Sequence, residues 1–200
     1  AQLDHVVILD DGSPDATAAK AREAGAEVIV HEVNRGKGAA IKTGLKALTD
    51  RGFQYIQILD GDGQHLPEEI PRFLDEANHS QSHIILGNRM SDVEEMPFVR
   101  KMTNRFMSWQ ISHVCRQIIP DSQCGFRMIH RDLAPSLFCE TDAFDYETEM
   151  LLIAARAGFK ISAVPVSTVY GEEKSKIRPI RDTIRFYKLM ARYHNSREAL

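Results

Sequence analysis

The chain has 200 residues, 43% hydrophobic and 26% charged, enough for one domain with a substantial core and too few for two full ones. Its formal net charge of −3 lacks the basic surplus of a nucleic-acid binder, and no apolar run approaches the roughly 18 residues of a membrane span. Three cysteines, Cys115, Cys124 and Cys139, are odd in number and nowhere spaced Cys-x-x-Cys, so no disulfide framework or zinc cluster is indicated; the expectation is a cytoplasmic protein that meets a membrane, if at all, peripherally on its inner face.

His5 to Leu9 reads as a strand, followed by Asp10-Asp11-Gly12-Ser13-Pro14-Asp15. Ser13 as N-cap, Pro14 at the first helical position and Asp15 in the first turn predict a helix to about Ala24, ended by Gly25. A second strand, Glu27 to His31, leads into Asn34-Arg35-Gly36-Lys37-Gly38 and then a helix with Ile41, Leu45 and Leu48 on one face. The third apolar run, Ile56 to Leu59, ends in Asp60-Gly61-Asp62-Gly63-Gln64-His65. Pro67-Glu68-Glu69 opens the next helix, where Ile70, Phe73, Leu74 and Ala77 have the spacing of a buried stripe. His83 to Gly87 is a fourth strand.

Strands alternating with helices predict an α/β fold, with a mainly parallel sheet, right-handed crossovers and helices on both faces. Ligands of such sheets gather at the carboxyl ends of the strands. Here those ends carry Asp10-Asp11-Gly12, Asp60-Gly61-Asp62 and Gly87-Asn88-Arg89, with Asn34-Arg35-Gly36-Lys37 close after the second strand. Carboxylates and cations therefore converge on one edge.

Beyond Met90 comes an acidic loop, then a long helix from Phe98 to about Ile118. Phe98, Met102, Phe106 and Trp109 lie on one side of it, and Ile111, Val114 and Ile118 roughly opposite. Such a helix is either buried on both faces, broken near Trp109, or packed on the protein with one face and on something greasy with the other. Asp121-Ser122-Gln123-Cys124-Gly125-Phe126-Arg127 enters a strand ending at His130, Tyr146 to Ala157 is a helix with Met150, Ile153, Ala154 and Ala157 inward, and Lys160 to Val166 is another strand. The catalytic domain is expected over 1–170 and a basic loop with an amphipathic helix over 171–200. In that helix Arg178, Arg181, Arg185, Lys188 and Arg192 form one stripe beside Ile177, Ile180, Ile184 and Tyr187. This pattern suits either an interfacial helix on anionic headgroups or an ordinary solvated basic face.

The chemistry concentrates at Asp60 and Asp62. If extended conformation persists past Leu59, the two carboxylates point the same way and can close on one hard cation, Mg²⁺ or Mn²⁺, whose remaining positions go to substrate phosphates. A calcium loop is excluded, because its sixth position would be His65 instead of Gly and its twelfth Pro71 instead of Glu. A plain Asp-Gly turn is the bland alternative. His65 is read as a helix-entry residue and Cys124 as packing.

With these motifs in hand, the chain resembles the family-2 glycosyltransferases of the GT-A type (nucleotide-diphospho-sugar transferase, Rossmann-like), and is similar to the polyprenyl- and dolichyl-phosphate sugar synthases. The matching pieces are Ile8-Leu9-Asp10-Asp11-Gly12-Ser13-Pro14-Asp15-Ala16-Thr17, Asn34-Arg35-Gly36-Lys37-Gly38, Asp60-Gly61-Asp62 with Gln64, Gly87-Asn88-Arg89, Asp121 with Cys124-Gly125-Phe126-Arg127, and Gly171 with Lys174-Ser175-Lys176. The resemblance implies a metal-dependent, inverting hexosyl transfer from a nucleoside-diphosphate sugar to an acceptor, a polyprenyl phosphate first. It places Asp11 on the nucleobase, Asp60 on ribose and metal, Asp62 and Gln64 on the metal, and Lys37, Lys174 and Lys176 on the donor side. Arg89, Arg100, Lys101 and Arg127 fall on the acceptor phosphate, and Asp62, Arg89 and Asp121 at the reacting centre. The cytoplasmic membrane surface would be met through the C-terminal helix, and no nucleic acid is involved.

Two departures stand out. The family opens with a further strand, central to its sheet, so the resemblance implies that residues precede Ala1 in a longer chain. Asn104 stands where lipid-phosphate members often have Ser, and Tyr170 where they often have Arg. Were the acceptor a hydroxyl, a carboxylate would have to take its proton, with Asp121, Asp145 and Glu147 as candidates. Rival classes are a sugar nucleotidyltransferase, whose Gly-rich phosphate loop would belong before Ala1, and a receiver-type signalling domain with Asp60 phosphorylated, which would need Ser or Thr where Gly87-Asn88-Arg89 stands.

Overall fold

A computed structural model describes residues 5–91, 96–138, 145–167, 169 and 179–195. In chain order the strands and helices are β1 (Val7–Asp10), α1 (Thr17–Glu23), β2 (Glu27–Val30), α2 (Lys37–Thr49), β3 (Tyr55–Ile58), α3 (Ile70–Ser80), β4 (Ile84–Asn88), α4 (Phe98–Cys115), β5 (Arg127–His130), α5 (Tyr146–Arg156), β6 (Ile161–Pro165) and α6 (Pro179–Asn195). The α/β architecture holds, but its strands form two sheets. β1 and β2 make a parallel pair, and the second sheet runs β3-β5-β4-β6. Helix α2 packs against both β1 and β3 and so spans the two.

The four-stranded sheet is mixed. β5 is antiparallel to both β3 and β4, while β4 and β6 are parallel. The reversal bears on the site: pairing Arg127 with Ile58 and with Leu86 puts the start of β5 at the carboxyl ends of β3 and β4. The Asp121–Gly125 segment therefore joins the edge that holds Asp60 and Arg89.

Side chains alternate across this sheet, as the pleat requires. Ile84, Leu86 and Ile129 enter one core with Leu45, Ile111, Tyr146, Met150 and Leu151, and Phe186, Leu189, Met190 and Tyr193 of α6 close it. Ile85, Met128 and Phe126 enter the other, against Ile70, Phe73 and Ala77 of α3. Each large side chain buried this way contributes about 1.5–3 kcal/mol, which fixes the strand register.

Local signals were read with small offsets. Helix α1 starts at Thr17, because Ser13 donates its N–H to the buried Asp10 carboxylate at 2.8 Å, and it is Asp15 that accepts the Thr17 N–H. Gly25 ends it at φ 85°, in the left-handed region that glycine adopts at little cost. Leu74, expected in the stripe of α3, is exposed, and so is Ala157 beyond α5.

Helix α4 resolves the two-faced pattern. Its inner side is lined by Asn104, Ser108, Ile111 and Cys115, while Phe98 (74% exposed), Val99, Met102, Phe106 and Trp109 (65%) face outward. Among the described residues no helix is long and apolar enough to cross a membrane.

Candidate active site

Lys37 is the first residue of α2, and its chain reaches across to the tip of β3. Its Nζ lies 2.8 Å from each Asp60 carboxylate oxygen and 3.1 Å from Glu147 Oε1, Glu147 standing in the first turn of α5. Burial alone would lower the Lys37 pKa, but the two carboxylates outweigh it and hold it above the usual value. Gly125 makes room for this contact: a Cβ there would fall 2.5 Å from Asp60 Oδ2 and 3.0 Å from Lys37 Nζ.

Asp62 is exposed and accepts the Gln64 N–H at 3.0 Å. His65 is buried behind the pair, with Nε2 4.0 Å from Asp60 Oδ2 and its ring 5.1 Å from that of Phe126. Burial pushes its imidazole below the usual value despite the pull of Asp60, and Nδ1 is buried without a hydrogen-bond partner. The histidine read as a helix-entry residue thus forms the back wall of the site. Its single apolar neighbour in sequence gave no sign of that.

Arg89 and Asp121 form a second cluster. Arg89 donates from Nε to Asp121 Oδ2 at 2.7 Å and from Nη2 to Oδ1 at 3.0 Å, and Asn104 adds a bond to Oδ1 at 2.9 Å. Asp121 is fully buried. Burial would raise its pKa, yet the guanidinium and the Asn104 amide hold it below the ordinary carboxylate range. Asn104, noted as a departure at a position often Ser, thus serves as a partner of Asp121. Arg100 and Lys101 sit on the first turn of α4 and flank the line of Asn104.

Asp11 is committed to the loop after β2. It accepts N–H bonds from Arg35 (2.9 Å) and Gly36 (2.7 Å) and contacts His31 Nδ1 at 2.6 Å. Burial works against its ionisation, but these donors win and lower its pKa. His31 in turn reaches Thr43 of α2 at 3.0 Å. The sequence reading missed His31, whose partners lie well apart in the chain.

Arg127, expected on the acceptor phosphate, is a correction. The residue is 1% exposed, and its guanidinium donates to the carbonyl oxygens of Cys124 (2.8 Å), Glu147 (2.6 Å) and Ser122 (2.8 Å). A side chain so committed ties three segments of the site edge together and offers a ligand nothing. Cys124 is packing, as expected, and burial pushes its thiol up to about 12. Asp145 precedes α5 without capping it. Lys174 and Lys176 lie outside the described residues.

The donor set fits a hard divalent cation. Asp60, Asp62 and Gln64 offer oxygen ligands on one turn, and the Lys37 ammonium seated on Asp60 shows that this point accepts positive charge. Among the described residues, no cluster of three or more His, Cys, Asp or Glu side chains is preassembled.

Comparison with known proteins gives the family and the fold. The model of Glycosyl transferase family 2 matches residues 1–138. The chain is 30% identical over 191 residues to the UDP-N-acetylglucosamine–dolichyl-phosphate N-acetylglucosaminyltransferase of Methanococcus voltae, covering 84% of this chain and 76% of that protein. It is 29% identical over 182 residues to the undecaprenyl-phosphate mannosyltransferase of Micrococcus luteus, covering 84% and 72%. Among solved structures, glucosyl-3-phosphoglycerate synthase from Mycobacterium tuberculosis, crystallised with Mn²⁺, UDP-glucose and phosphoglyceric acid, superposes with a TM-score of 0.70 at 17% identity, covering 96% of this chain and 69% of that one. This last likeness shows a shared fold. The chain is a glycosyltransferase, and it belongs to glycosyl transferase family 2.

Proposed function

We propose that the chain transfers a sugar from a nucleoside-diphosphate sugar to a polyprenyl phosphate, with a divalent cation, Mg²⁺ or Mn²⁺, held by Asp60, Asp62 and Gln64. The observation that carries the choice of acceptor is the state of the acids. Asp121 is ion-paired with Arg89 and Glu147 with Lys37, so neither stands free to take a proton from a hydroxyl. A phosphate oxygen is already anionic near neutral pH and needs no such base. The names of the Methanococcus voltae and Micrococcus luteus relatives support the same acceptor class.

In this reading the acceptor oxygen attacks the anomeric carbon in line, the bond to the diphosphate breaks, and the configuration inverts. The bound cation supplies charge neutralisation on the leaving diphosphate. Lys37, fully charged between its two carboxylates, keeps Asp60 aimed and adds positive potential on the donor side. Arg89, held by Asp121, with Arg100 and Lys101 nearby, presents positive charge to the acceptor phosphate. Asp11 shapes the loop before α2 that borders the base. His65 backs Asp60, with burial holding its imidazole below the usual value. Helix α6 packs through Phe186 and Leu189 and turns Lys188 outward, toward the membrane surface in this account, while Arg192 pairs with the buried Glu149 at 3.6 Å. A hydroxyl acceptor with Asp145 as base is the second reading, favoured by one fact: Asp145 Oδ1 is buried without a hydrogen-bond partner.

The test is incubation with labelled UDP- or GDP-sugar, Mn²⁺ and a polyprenyl phosphate. Label should pass into the organic phase. Label that stays wholly in the aqueous phase overturns the lipid acceptor.

A further inference from the structure

Glu69 is a buried carboxylate that belongs to neither cluster of the site. It ends the short 3₁₀ turn Pro67–Glu69 that leads into α3, with 5% of its surface exposed. Its Oε1 accepts from Arg72 Nη1 at 2.8 Å and from the Ser167 N–H and Oγ at 3.1 Å each, and Oε2 shares the Ser167 N–H at 3.1 Å. The same Arg72 nitrogen donates to the Pro165 carbonyl at 3.0 Å. A carboxylate is costly to take out of water and is kept where charge and donors meet it. Here they come from Arg72 and from the chain leaving β6.

That chain is fastened at two further points. Val166 donates its N–H to the carbonyl of Asn88, the residue before Arg89, and Val169 donates its N–H to the carbonyl of Gln64, both at 3.2 Å. It therefore crosses from the Arg89 cluster to the turn that carries Asp62 and Gln64, with Ser167 held by Glu69 between the two. Gln64 in turn donates its own N–H to Asp62 Oδ1 at 3.0 Å. His65-Leu66-Pro67-Glu68 link Gln64 to Glu69, and Pro67 fixes φ within that link. One crossing segment is thus clamped both to the turn and to the residue that follows it.

We propose that Glu69 is a positioning residue of the donor site: by holding Ser167 it keeps the crossing chain seated on Gln64, and so sets the Asp62–Gln64 turn in the form that takes a divalent cation. The inference rests on the assignment of Asp62 and Gln64 to the metal. Glu69 is not itself a ligand, because both of its oxygens are taken by Ser167 and Arg72. The turn needs an outside hold. Asp62 is exposed and Gln64 half-buried, and Gly61 and Gly63 leave the backbone free to adopt many conformations. A fix on the Gln64 carbonyl limits that freedom, and the Gln64 N–H passes it to the Asp62 carboxylate. A Glu69 that served packing alone would contribute to stability and leave the cation affinity of the folded chain as it is.

Mn²⁺ binding is measured without nucleotide or acceptor, from the electron paramagnetic resonance signal of the free ion, well below Tm. Glu69→Ala should weaken binding by the folded chain about tenfold, the effect of removing an outer-shell partner of a metal ligand. Glu69→Gln keeps an acceptor for the Ser167 N–H but loses the charge that meets Arg72, and should fall between the parent and Glu69→Ala. This isosteric variant carries the comparison if Glu69→Ala does not fold. Phe73→Leu, at a fully buried residue of α3, is the control and should lower Tm without changing Mn²⁺ affinity. Amide exchange in the metal-free chain gives a second readout: loss of the Glu69 carboxylate should speed exchange at Ser167 and also at Val169, whose N–H Glu69 does not touch. Parent-like Mn²⁺ affinity in both Glu69 variants, an equal loss in Phe73→Leu, or unmoved protection at Val169 overturns the proposal. Mn²⁺ uptake that the variants keep overturns this inference alone, whereas a parent chain that takes up no Mn²⁺ overturns it together with the metal assignment.

Discussion

The Lys37 ammonium sits 2.8 Å from both carboxylate oxygens of Asp60, 23 residues further along the chain. The lysine occupies the charge position that a divalent cation would share, and its second partner, Glu147, leaves it somewhere to go. Replacing Lys37 by Met should destabilise the metal-free chain by about 1–3 kcal/mol, since two partly buried carboxylates lose their common counter-charge. The sign with pH follows from a raised lysine pKa: the contribution is complete below the unfolded value of about 10.4 and is lost only as pH rises through the folded one. Urea unfolding should therefore show a constant deficit from neutral to mildly alkaline pH. Mn²⁺ should stabilise K37M more than the parent; equal stabilisation would contradict the shared position.

Gly125→Ala tests the cradle. An added Cβ 2.5 Å from Asp60 Oδ2 forces the carboxylate or the β5 entry to move. Calorimetric titration with Mn²⁺ and nucleoside diphosphate should show affinity reduced at least about tenfold, because displacement of one ligand of so few is felt directly. Unchanged affinity would mean that Asp60 does not hold its ligand from this position.

The Arg89–Asp121 pair sets an acid limit. A depressed carboxylate pKa gives stability that is present above the unfolded value, near 3.9, and is lost as pH falls through the folded one. Asp121→Asn removes that term and leaves Arg89 buried beside a neutral amide, at a cost of about 3–5 kcal/mol. Denaturant curves should show the variant far weaker at pH 7, with the gap closing in strong acid. A gap that persists unchanged in strong acid would contradict the ion pair.

Arg127 is predicted to matter for folding and not for acceptor binding. Arg127→Met strands three carbonyl oxygens in the core and should cost about 3 kcal/mol or more. The KM for acceptor in the folded fraction should not change. A selective rise in that KM, with stability intact, would restore Arg127 to the phosphate.

Much of the frame was legible because it rests on local physics. The apolar runs at Val7–Asp10, Ile84–Asn88 and Ile161–Pro165, the stripe of Ile41, Leu45 and Leu48 on α2, and the Asp-rich strand ends all follow from periodicity and turn chemistry. What stayed hidden depends on contacts distant in sequence. No spacing announces that β5 enters antiparallel between β3 and β4, that Lys37 closes on Asp60, or that His31 meets Asp11. Arg127 shows the limit of motif reading: the matching residue was placed correctly in the sequence, but only its three carbonyl partners show that it is internal. On α4, periodicity found the aromatic side but not its exposure; of the opposite face it foresaw only Ile111 as buried, since the helix ends at Cys115, Ile118 beyond it is 88% exposed, and Asn104 and Ser108 line the inner side.

The central claim is that Asp60 and Asp62 bind a nucleoside diphosphate through a divalent cation. Thermal unfolding with GDP and with UDP, each with and without Mn²⁺, tests it in the parent chain and in Asp62→Asn, a substitution at an exposed side chain that leaves the core alone. At a nucleotide concentration near 100 times Kd, one of the two should raise Tm by roughly 5–10 °C with Mn²⁺ present, and Asp62→Asn should lose most of that rise. The same Mn²⁺-dependent rise in the variant, or none with either nucleotide in the parent, would contradict it.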